Sequence, residues 1–152
     1  MTQRAAGGLA GRTGGRVVVG VDGSGHSRAA IEWAADYASA SEAPLTFVAV
    51  WQPVPLLYEI AYAANIDREL EEQCAATLRE TVAGVLGAAL ADQAQLLVER
   101  GHPAKALIDA SAGARCLVLG SRGRGAIAGA LLGSVSAACA AHAHCPVVVV
   151  RG

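Results

Sequence analysis

Short β-branched runs alternate along this chain with longer segments in which apolar side chains recur every three or four residues. Arg16 to Val21 is a valine run too short for a helix, and its unbroken apolar character suits a strand covered on both faces. From Ser27 onward, Ala30, Trp33, Ala34, Tyr37 and Ala38 fall at helical spacing, with Glu32, Asp36 and Ser39 on the other side. Pro44 ends the linker that follows, and Leu45 to Trp51 reads as a second strand that stops before Pro53 and Pro55. A loop from Tyr58 to Ala64 leads to a long helix, capped by Asn65, with Asp67, Glu69, Glu71 and Glu72 near its positive end. Its apolar stripe runs Ile66, Leu70, Cys74, Leu78, Val82, Val85 and Ala89. Gln95 to Glu99 is a third strand, and Pro103 opens a helix that buries Leu107 and Ile108. Cys116 to Leu119, Ala137 to Ala143 and Pro146 to Val150 complete the pattern as strand, helix and strand.

Strands that alternate with helices in this way require crossovers between parallel strands. The expected fold is an open α/β sheet of five strands with helices on both faces, built by residues 16–152 as one domain. Ligands of such sheets lie beyond the carboxyl ends of the strands, where the winding reverses. Two glycine-rich junctions sit at carboxyl ends, Gly20 to Gly25 and Gly120 to Ser136. The second reads Gly-Ser-Arg-Gly-Arg-Gly-Ala-Ile-Ala-Gly-Ala-Leu-Leu-Gly-Ser-Val-Ser and leads from strand to helix. Glycine lets backbone approach a phosphate, and the first free amides of a helix point at it with the positive dipole end behind them. Ser134 and Ser136 stand where a helix start favours hydroxyls, and Arg122 and Arg124 add positive charge.

Composition narrows the choice. With 53% hydrophobic and 16% charged residues among 152, the chain can build a substantial core. A net charge of −1 argues against general nucleic-acid binding, yet no Asp or Glu occurs after Asp109, so the last quarter is cationic. No apolar stretch reaches the roughly 20 residues that span a bilayer, so no membrane partner is expected. Residues 1–15 are glycine-rich without an apolar leader and read as a disordered tail of a cytoplasmic protein. Cys74, Cys116, Cys139 and Cys145 show no CxxC spacing and read as reduced structural thiols.

Several chemistries compete for the glycine clusters. A GxxxxGK[ST] phosphate loop is excluded, because the single lysine, Lys105, lies far from both. Gly123-x-Gly125-x-x-Ala128 matches the GxGxxA of dinucleotide sites, but no acid follows to hold a ribose. Cys139, His142, His144 and Cys145 crowd together without the spacing of a zinc site, and one helix cannot present all of them on one side. His26 and His102 read as exposed loop residues, and no GxSxG elbow supports a serine triad. Asp22, an acid at the end of an apolar strand, has two readings. It caps the next helix, or it accepts hydrogen bonds from a ribose hydroxyl or an adenine amine.

Val-Gly-Val-Asp-Gly-Ser near the start, Gly101-His102-Pro103, the Gly120 to Ser136 stretch and Cys-Pro-Val-Val-Val-Val at the end together resemble the universal stress protein family. Gly120, Gly123, Gly133 and Ser134 meet its ATP-binding pattern G-x2-G-x9-G-[ST] in spacing and type. The resemblance implies a parallel sheet of order 3-2-1-4-5, a homodimer through the last strand 146–150, and ATP, with or without magnesium, between the first and fourth strand ends. By position, Asp22 would contact the adenosine, Gly20 and Val50 would line the adenine pocket, and Leu119 with Gly120 would flank it. Gly123, Gly133, Ser134, Val135 and Ser136 would hold ribose and phosphates, with Val21 and Arg122 completing the set. Arg115 departs from the acid common in the family before the fourth strand, a change expected to affect surface charge only. The expected role is an ATP-binding stress-response regulator with slow or absent turnover. The alternatives are a dimeric scaffold that binds little nucleotide and a weak ATP hydrolase.

Overall fold

A computed structural model describes residues 15–53, 63–123 and 128–152. The predicted tail, apart from Gly15, lies outside these residues, as do Arg124 and most of the predicted loop before the long helix. Strands β1 (Val17–Gly20), β2 (Leu45–Trp51), β3 (Gln95–Arg100), β4 (Cys116–Gly120) and β5 (Val147–Val150) form one sheet. Its order is β3-β2-β1-β4-β5 and every pairing is parallel, as the alternation of strand and helix requires. Helices α1 (Gly25–Ala40), α2 (Ala63–Leu86), α3 (Ala88–Gln93), α4 (Pro103–Ala110) and α5 (Ser134–His142) connect the strands.

The two faces of the sheet divide the core. Val17 and Val19 of β1 point one way, into a cluster with Ile31 and Ala34 of α1 and Leu78 and Val82 of α2. Val18 points the other way and packs with Leu117, Leu107 of α4 and Cys139 of α5. Alternation along a strand thus places consecutive valines in separate cores, which is why the run is apolar without a break. Full burial of side chains such as Ile31 and Phe47 contributes roughly 1.5–3 kcal/mol each.

Two expectations for the long helix need correction. Asn65 is no cap, because α2 begins at Ala63 and carries Asn65 exposed in its first turn. The apolar stripe also does not continue to Ala89. Gly87 has φ of +86°, a conformation side chains rarely adopt, so the helix stops and Ala89 lies exposed in α3. Pro103 does open α4, with Leu107 buried beneath it and Ile108 half-buried. Among the described residues, no helix is long and apolar enough to cross a membrane.

Candidate functional site

The β1–α1 junction closes on itself. Ser24 is the N-cap of α1, and its hydroxyl accepts the Ser27 amide at 3.2 Å. The Ser27 hydroxyl donates back to the Ser24 carbonyl at 3.1 Å. Asp22 is therefore not the cap. Its exposed carboxylate accepts the Ser24 amide at Oδ1, at 2.9 Å, and Oδ2 lies against Gly123. A side chain at Gly123 would collide with that carboxylate, so the two junctions meet at Asp22.

At the β4–α5 junction no side chain among the described residues caps the helix. Gly133, not a serine, is the N-cap of α5, with ordinary φ and ψ of −72° and 168° and no side chain to bond the first turn. Ser134 is the first helical residue, and the buried Ser136 hydroxyl donates to the Ser121 and Gly133 carbonyls at 2.9 and 3.1 Å. The opening amides of α5 are thus left without a cap hydroxyl, the condition under which a helix start accepts an anion.

Glycine has different causes at these positions. A Cβ on Gly120 would lie 2.6 Å from the His26 carbonyl carbon, and one on Gly20 would lie 2.5 Å from a Leu119 methyl. Close backbone approach at Gly120 therefore accommodates α1, not a phosphate. At Gly133 the nearest atom to such a Cβ is the Arg122 Cα at 3.4 Å, an ordinary contact. The fold admits a Cβ there.

Between the junctions lies a cleft of about 640 Å³, within the range of small-molecule sites. Gly20, Val21, Asp22, Val50, Leu119, Gly120, Arg122, Gly123, Gly133, Ser134, Val135 and Ser136 all line it, while Arg124 lies outside the described residues. The cleft opens where β2 and β3 lie to one side of β1 and β4 and β5 to the other, the point at which the winding reverses. Sequence reasoning missed its outer wall, formed by Leu70, Gln73, Cys74 and Thr77 of α2, and also missed Gln52 at the end of β2. The α2 stripe did carry a signal, since Leu70 and Cys74 were legible as inward-facing. Burial and the Glu71 carboxylate raise the Cys74 thiol above its ordinary pKa, so it stands in this wall as a neutral group.

The cysteine–histidine crowd near the C-terminus does not converge. Cys139 is buried on the far face of the sheet while His142 and His144 are exposed, and burial pushes the Cys139 thiol up to about 11. All four cysteines are free.

Residues 14–151 match the model of the universal stress protein family. The chain belongs to that family. A universal stress protein of Mycolicibacterium smegmatis is 38% identical over 140 residues, covering 90% of this chain and 48% of its own length. Universal stress protein Rv1996 of Mycobacterium tuberculosis is 37% identical, with 88% and 47% covered. The chain thus spans about half the length of the curated relatives it matches. Among solved structures, UspA from Lactobacillus plantarum has a TM-score of 0.72 at 22% identity, covering 90% of this chain and 97% of that one, and shows the universal stress protein fold alone. A universal stress protein solved in complex with cAMP is 31% identical, with a TM-score of 0.56 and coverage of 90% and 95%.

Proposed function

We propose that this universal stress protein binds ATP in the cleft between the β1 and β4 ends and acts as a nucleotide-dependent regulator. The observation that carries the reading is the uncapped start of α5 beside Arg122, facing a cleft large enough for a nucleotide. The complex of a relative with cAMP supports the adenine nucleotide class. In this reading the phosphates take the amides of Ser134, Val135 and Ser136. The base lies by Gly20, Val21 and Val50, Leu119 and Gly120 flank it, and Asp22 accepts a hydrogen bond from the adenosine. Asp22 is the sole acid among the described residues that line the cleft. With Asp22 placed on the adenosine, a magnesium ion would arrive with the nucleotide and be held by phosphate oxygens and water. Hydrolysis also needs a group that orients water, and the adenosine role leaves Asp22 uncommitted to that task, so turnover is slow or absent.

Edge strand β5 supports a homodimer. Val147 to Val150 are only partly buried along a sheet edge, a surface that a second copy would cover. Sedimentation at micromolar concentration should show a dimer that Val148→Lys dissociates. A monomer of the parent protein contradicts this assembly. For the nucleotide, mass spectrometry of freshly purified, denatured protein should release ATP. Freshly purified protein without adenine nucleotide, and without heat on titration with ATP, favours the scaffold alternative.

A further inference from the structure

We propose that His26 is a positioning residue for the phosphate-facing loop, acting through Ser121. The chain of contacts begins with a tautomer. Gly152 donates its backbone amide to His26 Nδ1 at 3.1 Å, and a backbone amide can only donate. Nδ1 therefore carries a lone pair, and the Ser121 hydroxyl, 3.0 Å from the same nitrogen, must be the donor in that contact.

Ser121 is buried with every polar atom committed. Its amide donates to the Val150 carbonyl at 2.8 Å, which ties it to β5. Its carbonyl accepts the Gly133 amide at 2.7 Å and the Ser136 hydroxyl at 2.9 Å. Gly133 and Ser136 bracket the first turn of α5, so the Ser121 carbonyl sets where the uncapped amides stand. The imidazole is the outer support of that arrangement. It is held in turn by the packing of the His26 backbone against Gly120, where no Cβ would fit. His26 lines no part of the cleft, and its influence on a ligand runs only through the loop. The consequence for nucleotide affinity rests on the ATP reading above, whereas the effect on the loop does not.

The test compares the parent with His26→Ala, His26→Asn and Ser121→Ala, without nucleotide and then with ATP. Amide hydrogen exchange by NMR reads the Gly133 amide directly, with the Val18 and Ala30 amides as reporters of global stability. Loss of one hydrogen bond to the loop should speed Gly133 exchange by about tenfold in His26→Ala and Ser121→Ala. The Val18 and Ala30 amides should not change. Asn places an acceptor oxygen near the position of Nδ1, so His26→Asn should stay within about twofold of the parent. ATP affinity should follow the same order. Unchanged Gly133 exchange in the two alanine variants overturns the proposal, as does an asparagine variant that behaves like alanine. An exchange pattern as expected in a protein that gives no heat with ATP supports the hold and contradicts the nucleotide reading instead.

Discussion

The two glycine-rich junctions look alike in composition and lie side by side at the carboxyl ends of β1 and β4, yet they begin their helices in different ways. At β1–α1 the Asp22 carboxylate accepts the Ser24 amide and the Ser24 hydroxyl accepts the Ser27 amide, while the Ser27 hydroxyl donates back to the Ser24 carbonyl. At β4–α5 the cap is Gly133, which has no side chain to offer. A side-chain cap satisfies some of a helix's first amides from within, and a glycine cap leaves them to water, to other groups or to a ligand. Glycine content alone does not separate the two. The difference rests on whether a Ser, Thr, Asp or Asn occupies the cap position.

The contrast can be broken from either side. Gly120→Ala should do the most damage, since its methyl would meet the rigid His26 backbone. We expect a loss of about 3 kcal/mol, at the upper end for overpacking, and a thermal midpoint lowered by about 6 °C or more. Gly133→Val should act in the opposite sense, because its Cβ has room. It should fold as the parent does by circular dichroism, yet bind ATP about thirtyfold or more weakly by calorimetry, through blocked backbone approach. A Gly133→Val protein with undiminished affinity removes the phosphates from this loop.

Asp22 tests where the junctions touch. Asp22→Ala should weaken ATP by about tenfold, the cost of one lost hydrogen-bond partner to the adenosine. Asp22→Asn keeps an acceptor for the Ser24 amide and should retain more affinity. Equal losses in the two variants would assign the effect to charge. Ser24→Ala should have the smallest effect, about 1 kcal/mol of stability from the lost cap with ATP affinity close to the parent's. A large affinity loss there would mean that the closed junction also binds.

Much of the fold was legible because each valine run is bounded by glycine, proline or charge. The parallel arrangement follows from that alternation, and the strand order came with the family resemblance. The two glycine junctions and Asp22 were legible by position at the strand ends, whereas Gly20, Val50 and Leu119 as lining residues came with the family resemblance. Other features were not. A helical stripe reports which side of α2 faces inward without saying that Leu70, Cys74 and Leu78 line a cleft while Val82 lies wholly in the core. The break at Gly87 was hidden because glycine within a helical pattern carries only a cost of about 1 kcal/mol. Its positive φ is a property of the packed chain. Ser134 and Ser136 suggested a cap by type, but the helix begins one residue before Val135, which moves the cap to Gly133. The pairing of His26 with Ser121 joins residues far apart in sequence, and no local pattern marks it.

The central claim is that the open start of α5 receives phosphate. Backbone amide shifts of the parent protein, recorded by NMR during separate titrations with ATP and adenosine, test it most directly. Both ligands should move the amides of Val21 and Val50, and ATP alone should move those of Ser134, Val135 and Ser136. If saturating ATP leaves the α5 start unmoved, or adenosine moves it as far, the phosphates lie elsewhere and the contrast between the junctions has no functional meaning.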